Sequence, residues 1–363
     1  MKIRLLALTV AVALLLSGCA SMLRRSYSSA GAHVDYTLTE DQSILRAESY
    51  RGLVDAMLYF VGEHVSAGTI RLYNYTRPVE IDLASARQEV LEQTPLGAFA
   101  VSDITCQFSR IVSYYEVEVS ISYSRSAAEI QAIRSAVGGT AIRQELSRAM
   151  AEFQRELTLR VSYFSGDEQA LLAHALRAYY DTPLAAFGLP SLSVALYPAV
   201  GTQRIAHFTL QWPDSDTPLP QRSEELRSHA RQLLAQTPSA GEQHTLDELV
   251  AIMAQVYVHD PAGADDPHSA LSGRPATLQG WALGLELLCQ LAQMESTLVS
   301  GARDGLAEYW LIVAHEGGYR HLAFTGEGAA LYTDDEMTAL GFSWNYDGYP
   351  RCESGPTGEE AGQ

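Results

Sequence analysis

Ala270-Leu271-Ser272-Gly273-Arg274-Pro275-Ala276-Thr277-Leu278-Gln279-Gly280-Trp281-Ala282 runs into a strongly apolar stretch that predicts a helix to about Met294. Downstream come Leu298-Val299-Ser300-Gly301, then Glu308-Tyr309-Trp310-Leu311-Ile312-Val313, whose β-branched and aromatic residues predict a strand. Glu316-Gly317-Gly318 supplies a turn, and residues 319–324 the return strand of a hairpin. Upstream, Thr245-Leu246-Asp247-Glu248 opens a helix with a capping-box-like start, and Leu249, Ile252, Met253 and Val256 fill one face of it. Residues 257–267 read as a loop.

This order resembles the transglutaminase-like superfamily, the papain-type fold found in bacterial exported proteins. In that family a short Ala-Leu, a turn and Cys-x-Gly-Tyr-Ala start the central helix. A Val-x-Gly strand, a His-Ala-Trp-Asn strand, a Gly turn and an aromatic strand ending in Asp follow. The stretch from Asp334-Asp335-Glu336-Met337 through Trp344 to Tyr349-Pro350-Arg351-Cys352 is similar to the tail of bacterial members, so the resemblance covers residues 245–352. Gly280, Ala282, Trp310, Gly317 and Tyr319 keep the scaffold pattern. The triad positions do not: the nucleophile's place holds Leu278, the base's place Glu308 and the orienting acid's place Ala323.

Papain-type chemistry needs a thiolate at a helix N-terminus, a histidine to activate it and a third group to fix the imidazole tautomer. Leu278 has no lone pair and Ala323 can orient nothing, so the resemblance implies a domain without cysteine catalysis and without a cofactor. What it implies instead is an extended binding groove, with Trp281, Tyr309, Trp310 and Tyr319 as a candidate aromatic rim for a peptide, a cell-wall fragment or a protein partner. An atypical protease or acyl transferase with a rearranged site stays open. Its candidates are Cys289, on nearly the same helix face as Leu278 but ~16 Å further along, and His321 on the hairpin. His259, Asp260, Asp265, Asp266 and His268 form a polar cluster in an irregular loop. It reads as a solvated loop, and no metal is assigned to it.

The segment before residue 214 repeats itself. Thr94-Pro95-Leu96-Gly97-Ala98-Phe99 recurs 88 residues later as Thr182-Pro183-Leu184-Ala185-Ala186-Phe187. The alternating Val117–Tyr123 run matches Ala206–Trp212 at an offset of 89. Each copy predicts a long helix (48–64; 127–154), a strand (69–75; 158–164), a helix ending before Thr-Pro (82–93; 167–180) and two strands (101–111 and 114–123; 189–198 and 204–212). The expected fold class is α+β: duplicated α/β units at 46–126 and 127–213, a linker and helix at 214–244, and the transglutaminase-like domain at 245–352. Residues 353–363 read as a disordered acidic tail.

Residues 1–18 read as a signal peptide, with Lys2 and Arg4 before an apolar run to Leu16. Leu16-Ser17-Gly18-Cys19 resembles the bacterial lipobox, which implies cleavage before Cys19 and a diacylglyceryl group on its sulfur. Residues 19–45 then carry the lipidated cysteine and a tether. The implied location is the extracytoplasmic face of the cell membrane, with the membrane itself as partner through the lipid on Cys19. A formal charge of −18, with Lys2 the sole lysine, argues against nucleic-acid binding through phosphates. With Cys19 acylated, Cys106, Cys289 and Cys352 keep their thiols, so at most one internal disulfide can form.

Overall fold

The computed structural model describes residues 36–38, 43–237, 244–325 and 328–353. Cys19, the expected signal peptide, most of the expected tether and residues 354–363 lie outside the described residues. The chain divides into two compact units, Met1–Gln131 and Ala132–Gln363. Among the described residues no helix is long and apolar enough to cross a membrane.

The first unit runs β1 (Tyr36–Leu38), β2 (Ile44–Ala47), α1 (Tyr50–Gly62), β3 (Ala67–Tyr73), α2 (Val79–Gln93), α3 (Pro95–Ala100), β4 (Val101–Ile111), β5 (Tyr114–Tyr123) and α4 (Ala127–Gln131). Its sheet has the order β1-β2-β3-β5-β4. β2 and β3 are parallel, with α1 as the crossover, and β4 and β5 form an antiparallel hairpin. Ser49 caps α1 by accepting from Gly52 N at 3.0 Å. Leu53, Met57 and Phe60 of that helix are buried, as are Ile70, Leu72, Ile104 and Val117 of the strands. At the α2–α3 corner Pro95 opens the second helix, and Gly97 is required: a Cβ there would sit 2.0 Å from the Val90 carbonyl oxygen.

The second unit begins with β6 (Arg134–Val137), α5 (Gly138–Ala151), β7 (Glu156–Ser162), α6 (Glu168–Tyr180), a 3-10 turn at Pro183–Ala185, β8 (Ser191–Tyr197) and β9 (Gln203–Gln211). Its sheet order β6-β7-β9-β8 places strands as β2-β3-β5-β4 does in the first unit, again with a parallel first pair. The long helix expected over 127–154 is instead α4, a strand and α5. Gly138 takes φ +74°, a left-handed conformation that breaks the helical run between them.

The chain continues through α7 (Leu219–Gln236), α8 (Leu246–Val256), β10 (Val258–Ala264), α9 (Pro267–Leu271), β11 (Pro275–Ala276) and α10 (Leu278–Leu291). β10 occupies what reads in sequence as a loop, and pairs in parallel with β11. An antiparallel sheet follows, made of β12 (Ser296–Arg303), β13 (Leu306–His315), β14 (Gly318–Phe324), β15 (Ala329–Tyr332) and β16 (Phe342–Ser343) in the order β15-β14-β13-β12-β16. α11 (Asp334–Ala339) lies between its last two strands in sequence. Glu316 and Gly317 both have positive φ, 49° and 78°, which suits the two-residue turn joining β13 to β14.

One buried cluster runs through this unit from Ala136 of β6 to Leu322 of β14. It takes Leu226 and Ala230 of α7, Leu249 and Met253 of α8, and most of α10. α10 covers the sheet face that bears Leu298, Leu311, Val313 and Leu322. The opposite face carries Val299, Trp310, Ile312 and Ala323, packed with Met337 of α11, Phe342 and Cys352. Period-2 alternation along β13 produces this split. Thr245 and Glu248 close a reciprocal capping box on α8, at 3.3 and 2.8 Å. Thr245→Ala is expected to lower stability by about 1 kcal/mol. Urea unfolding followed by circular dichroism measures it, and a change within experimental error would count against the cap.

Candidate functional site

The start of α10 is fixed by Thr277, whose hydroxyl accepts from Gly280 N at 3.4 Å and donates to Asp265 Oδ1 at 2.6 Å. Gly280 permits close packing there, because a Cβ would lie 2.9 Å from the Ala264 carbonyl oxygen. Leu278, half-buried, is the first residue of the helix, so a hydrocarbon stands at its positive end. Glu308 is half-buried on β13 opposite Gly301. Burial raises its carboxyl above the usual range, and Arg303 opposes this. Ala323 is buried on the Trp310 side of the sheet, while α10 packs on the other. These three positions therefore do not meet in one polar centre.

The aromatic rim expected from the sequence needs correction. Trp281 and Trp310 are 2% and 0% exposed and belong to different cores on opposite sheet faces. Trp281 packs on Phe324 with ring centroids 5.9 Å apart. Tyr309, next to Trp310 on β13, points to the other face and meets Tyr180 edge-on at 5.8 Å. The Tyr319 hydroxyl donates to Glu295 Oε1 at 2.7 Å. Both indoles serve packing, so the four do not line a common groove.

The polar cluster of the 259–268 stretch is spent on local bonds. The Tyr257 hydroxyl lies 2.8 Å from His259 Nδ1 and Arg274 lies 2.7 Å from His268 Nδ1. Asp266 caps α9 through Ser269 N at 2.9 Å, and Asp260 accepts from Ala262 N. Cys106, Cys289 and Cys352 are free thiols. Burial pushes Cys289 and Cys352 up to about 12 and Cys106 up to about 11. For Cys289 the neighbouring Glu286 adds to this effect, and for Cys352 Asp334 does.

A dense polar constellation in the sheet core was only partly legible. His321, Asp334 and Cys352 place a nitrogen, an oxygen and a sulfur within 4.8 Å of one another. His321 is fully buried. Trp310 Nε1–H donates to its Nδ1 at 2.9 Å, which leaves the proton on Nε2, and Nε2–H donates to Asp334 Oδ1 at 2.8 Å. Cys352 N–H donates to the same Oδ1 at 3.2 Å, and Asp334 N–H to the Cys352 carbonyl at 2.9 Å. Burial lowers the imidazole's pKa despite the carboxylate beside it.

This tautomer decides what the cluster can do. A metal on Nε2 would need the ring proton on Nδ1, facing an indole N–H that is itself a donor. A general base needs a free ring lone pair, and the one present is taken by Trp310. A thiol at about 12 is not a thiolate in neutral solution. The cluster therefore clamps the C-terminal segment to β14 and to the start of α11. His321 was visible as a candidate from sequence, but nothing in sequence joined it to Asp334 and Cys352.

No protein-family model and no curated protein matches the chain. Among solved structures it is similar to a transglutaminase ("Crystal structure of a TGase"), with 11% identity over 54% of this chain and 62% of that one, at a TM-score of 0.29. It is also similar to a putative protease from Parabacteroides distasonis, with 9% identity over 71% of this chain and 40% of that one, at a TM-score of 0.22. The match spans less than two thirds of either structure. Neither likeness is close enough to assign a reaction.

Proposed function

We propose that the chain is a lipid-anchored protein of the extracytoplasmic membrane face that acts by binding, and that its residues 245–352 keep a transglutaminase-like scaffold without its chemistry. The observation that carries this reading is the start of α10. Leu278, and not a thiol, directly follows the Thr277 cap, and Ala323 lies on the sheet face away from that helix. The helix-then-antiparallel-sheet order of α10, β12, β13 and β14 supports it, as does the Leu16-Ser17-Gly18-Cys19 motif for the anchor. The shared strand order of the two α/β segments supports their reading as copies.

The test concerns sulfur. In neutral solution a thiol-directed electrophilic probe is expected to leave Cys289 and Cys352 unmodified in the folded chain and to label both in urea, as read by peptide mass spectrometry. Cys289→Ala is expected to change no turnover on peptide-amide or glutamine-donor substrates. Rapid stoichiometric labelling of either thiol in the folded protein would restore the catalytic reading.

A further inference from the structure

We propose that the tip of the β4–β5 hairpin is a membrane-contact site that dips into the lipid headgroup and acyl boundary beside the anchor. The inference rests on the reading that Cys19 is lipidated.

The tip is apolar and open to solvent. Val112 is 100% exposed, Phe108 43% and Ile111 37%. Tyr114 and Tyr115 follow on β5, half-buried, and Arg110 lies over the Tyr115 ring at 5.8 Å. Between Asp103 and Glu116 there is no carboxylate, although the whole chain carries 43 acidic residues and a charge of −18. Branched aliphatic, tyrosine and arginine side chains together are the composition of an interfacial segment. The missing acidic groups matter because a carboxylate would be repelled by anionic headgroups and expensive to desolvate.

The register supplies the second observation. Tyr36 pairs with Ala47, Ala47 with Leu72, Leu72 with Tyr115 and Tyr115 with Arg110. One row thus crosses all five strands and ends at the hairpin tip. β1 runs away from that end, so the chain arriving from Cys19 enters the sheet where the tip projects. The hairpin's other end, where Val101 pairs with Tyr123, is also where the chain leaves β5. Tyr36 lies 17 residues after Cys19. A chain of that length reaches at most about 60 Å when fully extended. Five strands put β1 and β4 about 19 Å apart. An anchor at Cys19 therefore holds this end of the sheet within reach of the bilayer, and the exposed apolar tip is what would meet it.

The experiment uses the full, acylated chain in vesicles of phosphatidylethanolamine and phosphatidylglycerol. Mass spectrometry of the mature N-terminal peptide first reads the acyl groups on Cys19. A polarity-sensitive fluorophore is attached at Val112→Cys, and separately at Ser102→Cys at the far end of the same hairpin, both in a Cys106→Ser background. Circular dichroism checks the fold of each. At position 112 the emission is expected to move to shorter wavelength, and headgroup-region spin-labelled lipid is expected to quench it several-fold more than at position 102. Equal, weak quenching at both positions on an acylated chain would overturn the membrane contact and leave the anchor standing. An unacylated Cys19 would remove the anchor and the inference with it. A shift at 112 that needs an added protein and no lipid would overturn the proposal in favour of a protein-docking tip.

Discussion

Replacing His321 with leucine is expected to destabilise the Ala132–Gln363 unit by about 3–5 kcal/mol, because it strands one buried donor and takes a hydrogen bond from a half-buried carboxylate. The indole N–H of the fully buried Trp310 loses its acceptor, and Asp334 Oδ1 loses the shorter of its two donors. Trp310→Phe alone leaves Nδ1 unpaired and is expected to lose about 1–3 kcal/mol. The double variant is expected to lose less than the sum of the two, since replacing both partners removes the stranded groups. Urea midpoints measured by circular dichroism provide the cycle. Freed from its clamp, Cys352 is expected to become reactive to thiol probes in His321→Leu while Cys289 stays protected. The pH dependence has a defined sign. Folding lowers the imidazole's pKa from its ordinary 6.5, so the unfolded chain takes up the proton first as the solution is acidified. Stability then falls below about pH 6.5, and this slope is expected to vanish in His321→Leu. A loss under about 1 kcal/mol in His321→Leu would mean that the cluster is not a structural clamp.

The parts of the fold that were legible are those where a local rule and the tertiary structure agree. Glu316-Gly317-Gly318 marks a turn in sequence because glycine takes positive φ without strain, and the hairpin forms there. The Thr245-x-x-Glu248 box starts a helix. The helix expected over 127–154 failed at a residue that carried the warning. Gly138-Gly139 lies in the middle of it, and the apolar spacing of Ile130, Ala136 and Ile142 hid a strand that only pairing with β7 stabilises. The aromatic rim failed because neighbouring residues on a strand face opposite ways, which places Tyr309 and Trp310 in different cores. The His321 cluster was out of reach for a different reason. Its members are 13 to 31 residues apart, on a strand, a helix start and the C-terminal segment, and no periodicity links those.

A second large effect is expected at Glu286, where the interior holds a carboxyl with too few partners. It is 3% exposed on α10, one turn from Cys289. Gln290 donates to its Oε1 at 3.0 Å, while its Oε2 and the neighbouring Ser296 hydroxyl are buried without a well-formed hydrogen bond. Burial raises its pKa first, hydrogen bonding with Ser296 and Gln290 opposes this, and nearby Asp181 raises it further. Asp181 is itself raised by burial against the pull of Arg143 and Arg177. The raised value sets the direction of the pH effect. At a pH below the ordinary 4.5 both folded and unfolded chains carry the proton. Above it the unfolded chain releases the proton first, so the folded state loses stability as pH climbs through its own higher pKa. Glu286→Gln keeps the Oε1 acceptor and removes the need to ionise. At neutral pH it is expected to stabilise the unit by on the order of 1 kcal/mol, because it removes the proton release that burial disfavours, and the gain is expected to disappear on acidification below 4.5. Melting curves of the two proteins across that range measure it. The Cys289 thiol, held up in part by this same carboxyl, is expected to titrate lower in Glu286→Gln. A variant that loses stability at neutral pH would instead mean that Glu286 is ionised and well partnered in the fold, and would reopen the helix interior around Cys289 as a polar site.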